Sequence, residues 1–168
     1  MASVFGFPNP VNEKAARVVA GGVLVLVVAT ILLGALAGRN WLWLTAVLAA
    51  GFVARVLTGP TLSPLGQLAT RVVAPRLGAP KLVPGPPKRF AQGMGATMTI
   101  AAVVLQAVGA TPAVFAILGL MVVAAGLESL FAVCLGCIVF GWLMRAGVVP
   151  QEVCAECADI GLRTAGAA

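Results

Sequence analysis

The chain has 168 residues, 61% of them hydrophobic and 10% charged, with a net charge of +6 and a mean hydropathy of +1.07. A soluble domain carries about 25% charged residues; eleven basic and five acidic side chains cannot cover a water-facing surface, so the composition indicates an integral membrane protein. With no His and no Tyr, Ser-His-Asp or Cys-His catalysis and imidazole metal sites are excluded, and no basic stripe interleaved with aromatics points to nucleic acid.

Residues 18–38 are 21 uncharged residues between Arg17 and Arg39, and at about 1.5 Å per residue they cross a hydrocarbon core of roughly 30 Å. A cleaved signal, with Lys14 and Arg17 as its charged region and 35–37 as an A-x-A site, would need a shorter apolar run. An uncleaved first helix is expected. Within it, Gly34 and Gly38 form a G-x-x-x-G pair, which reads as helix packing or homo-oligomerisation, or as a chance product of glycine-rich spans. A second span over 41–57 places Trp41 and Trp43 at an interface and lets Arg55 snorkel toward headgroups.

The connection 58–89 contains seven prolines, at 60, 64, 75, 80, 84, 86 and 87. Leu65, Leu68, Val72 and Arg76 recur at helical spacing, so a short amphipathic surface helix is expected over 63–73. Pro84, Pro86 and Pro87 predict a stiff, extended approach to the next span. Arg71, Arg76, Lys81, Lys88 and Arg89 stand here without an acid, which makes this connection cytoplasmic. The amino terminus, carrying Lys14 and Arg17, then shares that side, and the turn with Arg39 lies outside.

Residues 90–127 are again uncharged, interrupted at 109–112, which predicts a third span over 90–108 and a fourth over 112–134. A straight fourth helix of about 33 Å delivers Cys134 and Cys137 to the inner boundary. It leaves Glu128 inside the bilayer, where an ionisable group is costly and points to function. The apolar piece 138–144 is too short to cross; it lies in the interface, or 129–144 re-enters. The expected fold is all-α: an integral membrane helical bundle of four transmembrane helices in contact with membrane lipid. It has a long Pro-rich cytoplasmic loop, a transmembrane domain over 1–147, a cytoplasmic tail over 148–168, and both termini inside.

The chemistry rests on four cysteines in two C-x-x-C pairs, Cys134 with Cys137 and Cys154 with Cys157. The full pattern, C-x2-C-x16-C-x2-C, has the spacing of a four-thiolate zinc or iron site. The apolar surroundings of the first pair lack a polar knuckle. Glu152, Glu156 and Asp159 around the second would raise its thiol pKa values. A thiol-redox or sulfur relay uses the same residues differently: a membrane pair at a helix end and a pair on the tail exchange electrons or sulfane sulfur. Cysteines in apolar helices also serve as small hydrophobes.

The segments 58–69 (TGPTLSPLGQLA), 85–93 (GPPKRFAQG) and 131–137 (FAVCLGC) resemble a family, the four-helix bacterial membrane proteins of domain of unknown function 4395. The likeness covers roughly residues 10–147, and the Cys-Ala-Glu-Cys tail resembles an extension of some members. The resemblance implies residence in a bacterial inner membrane and an association with thioredoxin-like or rhodanese-type sulfurtransferase partners. It also matches Cys134 and Cys137 to the family's membrane pair, and Lys88, Arg89 and Gln92 to its polar signature. Lys88 and Arg89 are then expected to hold a small oxyanion such as thiosulfate near the thiols, against ordinary positive-inside anchoring as the alternative. Three functions follow: a thiol or sulfane-sulfur handling protein, a structural four-cysteine metal protein, or an oligomeric transporter of a small sulfur species lined by Glu128 and the cations.

Overall fold

The computed structural model describes residues 6–154. Asn12 opens the first helix, α1 (Glu13–Leu36), by accepting a hydrogen bond from the Lys14 N–H at 3.0 Å, an ordinary N-cap. The chain turns through a 3-10 segment (Arg39–Trp43) into α2 (Leu44–Thr58). The helices α4 (Gly85–Ala107) and α5 (Thr111–Phe131) form a second hairpin, followed by a short α6 (Leu135–Arg145). Four segments are long and apolar enough to cross a membrane: Glu13–Leu36, Arg39–Thr58, Gly85–Ala107 and Thr111–Phe131.

The buried positions of α5 (Val114, Leu118, Met121, Ala125) recur at intervals of three and four, and those of α1 (Val19, Val23, Val27, Thr30, Gly34) follow one stripe. These seams face one another across the core. Accordingly α1 packs along α5 and α2 along α4, while the two helices of the first hairpin touch only lightly. The outer faces carry exposed Val25, Leu32, Val47, Ile100, Val104 and Leu120, the apolar surface a lipid environment accepts.

Several boundaries differ from the sequence expectation. The first helix starts at Glu13 rather than 18, its first turn fixed by Lys81 on Glu13 (2.7 Å) and by the Leu77 carbonyl on Lys14 (2.7 Å). The third starts at Gly85: Pro86 and Pro87 occupy its first turn, where a missing N–H costs nothing, and are not an extended approach. The fourth ends at Phe131, not 134. The expected surface helix over 63–73 is a helical run spread over α3 (Pro64–Gln67), a π-turn (Leu68–Val73) and a 3-10 turn (Ala74–Leu77). It packs on α1, with Leu65 against Gly22. Gly34 is filled by Leu42 of the same chain, and Gly38 lies beyond the helix end at φ +113°, so the pair presents no common helix face for oligomerisation.

One end of the bundle gathers the amino-terminal arm, the 58–84 connection and the turn into α6. Strands β1 (Val11–Asn12) and β2 (Leu82–Val83) pair antiparallel there, and the Asn9 side chain accepts from the Gly85 N–H at 2.8 Å. Among the described residues every Lys and Arg except Arg39 belongs to this end.

Candidate functional site

The thiol pair owes its position to a break in the chain. After Phe131 the backbone of Ala132 turns left-handed (φ 60°, ψ 20°), and the N–H groups of Ala132 and Val133 both donate to the Leu127 carbonyl, closing α5. Cys134 is then extended (φ −94°, ψ 102°) and caps α6: its Sγ accepts from the Cys137 N–H at 3.4 Å, and the two sulfurs stand 2.6 Å apart. Both are free thiols, close to the roughly 2.05 Å of a disulfide bond. The pair therefore sits on the first turn of a separate short helix, not at the end of the fourth span as the sequence count predicts.

Gly136, between the two cysteines, fixes that helix against α4. A Cβ there would lie 2.6 Å from the Ala91 Cα, so only glycine permits this approach. Further along α6, Phe140 packs on Phe90 with ring centroids 5.6 Å apart. Arg17 reaches from α1 to the last turn of α5, donating to the carbonyls of Ser129 (3.0 Å) and Leu130 (3.1 Å), where cations suit the helix dipole.

Beside the thiols the Lys88 ammonium and the Glu128 carboxylate form an ion pair of 2.7 Å, with side chains 10% and 16% exposed. Two charges at this depth need each other. The electrostatics divide the two sulfurs. The Cys134 thiol is shifted below its ordinary value, first because the Cys137 thiol donates to it, with Lys88 and the Cys137 N–H adding to the effect against burial and Glu128. Cys137 is pushed up, first because it is that donor and then by burial. Cys134 is thus the more acidic thiol of the pair.

An open groove of about 800 Å³, walled by Lys88, Cys134, Cys137, Met144 and Arg145, leads from the pair to the basic end of the bundle. Of the residues singled out in the sequence, Cys134, Cys137, Lys88 and Glu128 come together here. Arg89 does not: its Nε donates to the Val56 carbonyl at 3.1 Å and it stands outside the groove. The expected Lys88–Arg89 clamp on an oxyanion is therefore not formed, since the two successive helical positions point to different neighbours. Cys154 packs with Phe140 and Met144 on the later turns of α6 and is disulfide-bonded; Cys157 lies outside the described residues. Among the described residues no three His, Cys, Asp or Glu side chains converge on a common metal position.

Arg55 also departs from expectation. It is buried at 6% exposure and does not snorkel, because partners meet it inside: the Gln92 Oε1 at 2.8 Å, the Ser63 Oγ at 3.2 Å and the Phe52 ring at 4.5 Å. This cluster ties the 58–77 connection to α4 next to the thiol site. Of its three polar residues, Arg55 reads from the sequence as snorkelling and Gln92 as part of a polar signature, and nothing in the sequence joins either to Ser63. Gly136 reads from the sequence as a turn residue between the two cysteines, and its close approach to Ala91 is visible only in the fold.

No curated protein and no solved structure matches the chain. The family described as Domain of unknown function (DUF4395) matches residues 11–145, well over half the sequence and the whole bundle with both thiols, and the chain belongs to that family.

Proposed function

We propose that the protein is a membrane thiol protein whose Cys134–Cys137 pair exchanges electrons or sulfane sulfur with a soluble partner of the thioredoxin or rhodanese type. The observation that carries this reading is the pair itself: two free sulfurs 2.6 Å apart, one favoured as thiolate, at the head of an open groove. Cys134 is the attacking sulfur and Cys137 resolves the mixed disulfide by attacking Cys134, with the partner thiolate leaving. With sulfane sulfur such as thiosulfate, the Cys134 thiolate takes the outer sulfur as a persulfide and sulfite departs. The Lys88 ammonium supplies positive charge at the groove for an anionic donor. The basic end faces the cytoplasm of a bacterial inner membrane by the positive-inside rule, and α6 lies in the interface with Ile138 and Trp142 turned outward. The tail pair Cys154 and Cys157 serves as the second exchange step. The zinc or iron alternative requires all four sulfurs, and the packing of Cys154 against Phe140 and Met144 favours separate pairs.

Trapping tests the assignment. Purified in detergent under anaerobic conditions, Cys137→Ser should accumulate a mixed disulfide with oxidised thioredoxin, and Cys134→Ser should not. With thiosulfate in place of thioredoxin, a persulfide on Cys134 identifies sulfur transfer. Equal trapping by both variants, or by neither, removes the pair from the proposed chemistry.

A further inference from the structure

A second cavity, of about 160 Å³, lies among α1, α2, α4 and α5 and meets the groove at Cys134. Its wall is built from Val19 and Val23 of α1, Phe52 of α2 and Met94, Met98 and Met121 of α4 and α5. The polar side chains that reach it are Gln92 and Glu128, and the thiol in its wall is Cys134. Cys134 is the residue that groove and cavity share: Cys137 and Lys88 line the groove alone, and Gln92 and Glu128 the cavity alone. Leu120, 57% exposed on the outer face, also borders the cavity, so the space reaches the lipid-facing surface at α5.

These features define an occupant. A cavity of about 150 Å³ accepts a benzene-sized ring, so this largely apolar space suits one six-membered ring. The Gln92 oxygen is already taken by Arg55, which leaves its amide N–H groups to offer to a carbonyl oxygen. A ring in this space lies against the Cys134 sulfur. We infer that the cavity seats the ring of a lipid-soluble quinone, its tail leaving past Leu120, and that this quinone is the two-electron acceptor for the Cys134–Cys137 dithiol. The inference rests on the thiol-exchange function proposed above.

The step balances without another reactant. The two thiols lose two electrons and two protons and the S–S bond forms; the two quinone carbonyl oxygens each gain a proton as the ring becomes the quinol. A soluble dithiol entering by the groove then restores Cys134 and Cys137 and leaves oxidised. The short helix α6 thus separates two access routes, one aqueous and one lipidic, with Cys134 open to both.

The test uses the full chain in lipid nanodiscs, reduced and kept anaerobic, with decylubiquinone as the probe. One quinol should appear for each Cys134–Cys137 pair oxidised, and none with Cys134→Ser. An azido-quinone should photolabel peptides carrying Met94, Met98 or Met121, with excess decylubiquinone protecting them. Ala124→Phe, which fills the cavity from α5, should lower the rate of quinol formation at least tenfold; the photolabel on the natural sequence decides the question if that variant does not fold. Thiols that exchange with oxidised thioredoxin while the quinone stays oxidised, or label falling outside the cavity, overturn the quinone site alone. Thiols inert to both oxidants overturn the thiol-exchange function beneath it.

Discussion

Gly136→Ala perturbs the thiol site without touching a sulfur. The added Cβ would stand 2.5 Å from the Ala91 Cβ and 2.6 Å from its Cα, whereas carbon atoms settle at about 3.5–4.0 Å. Because Ala91 meets it with backbone as well as side chain, α6 must retreat from α4 by about 1 Å. Overpacking of this kind costs about 1–3 kcal/mol, and the helix propensity of alanine over glycine returns up to about 1 kcal/mol. The net loss of stability is about 1 kcal/mol. The electrostatic consequence is more telling. For unit charges about 4 Å apart at an effective dielectric constant of about 20, a 1 Å retreat weakens attraction by about 0.8 kcal/mol, worth about half a pH unit. Lys88, one turn before Ala91 on α4, favours the Cys134 thiolate, and Glu128, which opposes it more strongly, stands on α5; a retreat from α4 that keeps the distance to α5 should therefore move the titration to higher pH. The assay is the pH dependence of iodoacetamide alkylation at Cys134, read by mass spectrometry, beside a thermal melt in detergent. An unchanged midpoint together with an unchanged melt would refute the packing of α6 on Ala91 as the device that sets thiol reactivity.

The charges beside the thiols give a paired prediction with opposite signs. Lys88→Met removes a group that lowers the Cys134 pKa and should move the alkylation midpoint up; Glu128→Gln removes one that raises it and should move the midpoint down. Each single change also strands a largely buried charge, at a cost of up to about 3–5 kcal/mol, and the double variant should recover most of it in a double-mutant cycle. Gln92→Leu withdraws the 2.8 Å acceptor from Arg55 and should cost about 1.5–3 kcal/mol, as for a hydrogen bond to a charged group, with faster proteolysis of 58–77 as the local readout. Ala132→Gly relieves a left-handed alanine and should raise stability by up to about 1 kcal/mol; a loss of stability would place the strain elsewhere.

The four helices long and apolar enough to cross a membrane were legible as long uncharged runs, and the turns at 37–43 and 108–110 were marked by Arg39 and Gly109, with Pro112 opening the next helix. Their ends were less so. Glu13, Lys14 and Arg17 look like flanking charges in the sequence, yet they belong to α1, because Lys81, the Leu77 carbonyl and the end of α5 engage them. The break before the thiols was hidden for a specific reason: a left-handed C-cap is normally announced by glycine, and here alanine holds it. Counting residues alone therefore ran α5 on through Cys134. The C-x-x-C pair, Lys88 and Glu128 were each visible as residues of interest, but their meeting depends on α6 folding back against the start of α4. Arg55 shows the converse limit. A cation near the end of an apolar span ordinarily reaches for headgroups, and only the distant Ser63 and Gln92 make an inward course satisfactory.

The crosswise pairing of the two hairpins has a consequence for biogenesis. Since α1 leans on α5 and α2 on α4, while α1 and α2 touch each other only lightly, a first hairpin inserted into a membrane during synthesis would emerge with its packing faces uncovered. α2 gains its companion when α4 is made, but α1 has none until α5, late in synthesis, and long-range pairing of this kind is slow. The nascent chain must be sheltered by the insertion machinery or by lipid through that interval. Cys134 and Cys137, translated after α5, emerge when the scaffold that receives them has just become complete. A ribosome stalled before Thr111 would therefore release a product fit for membrane quality-control proteolysis rather than a half-functional protein.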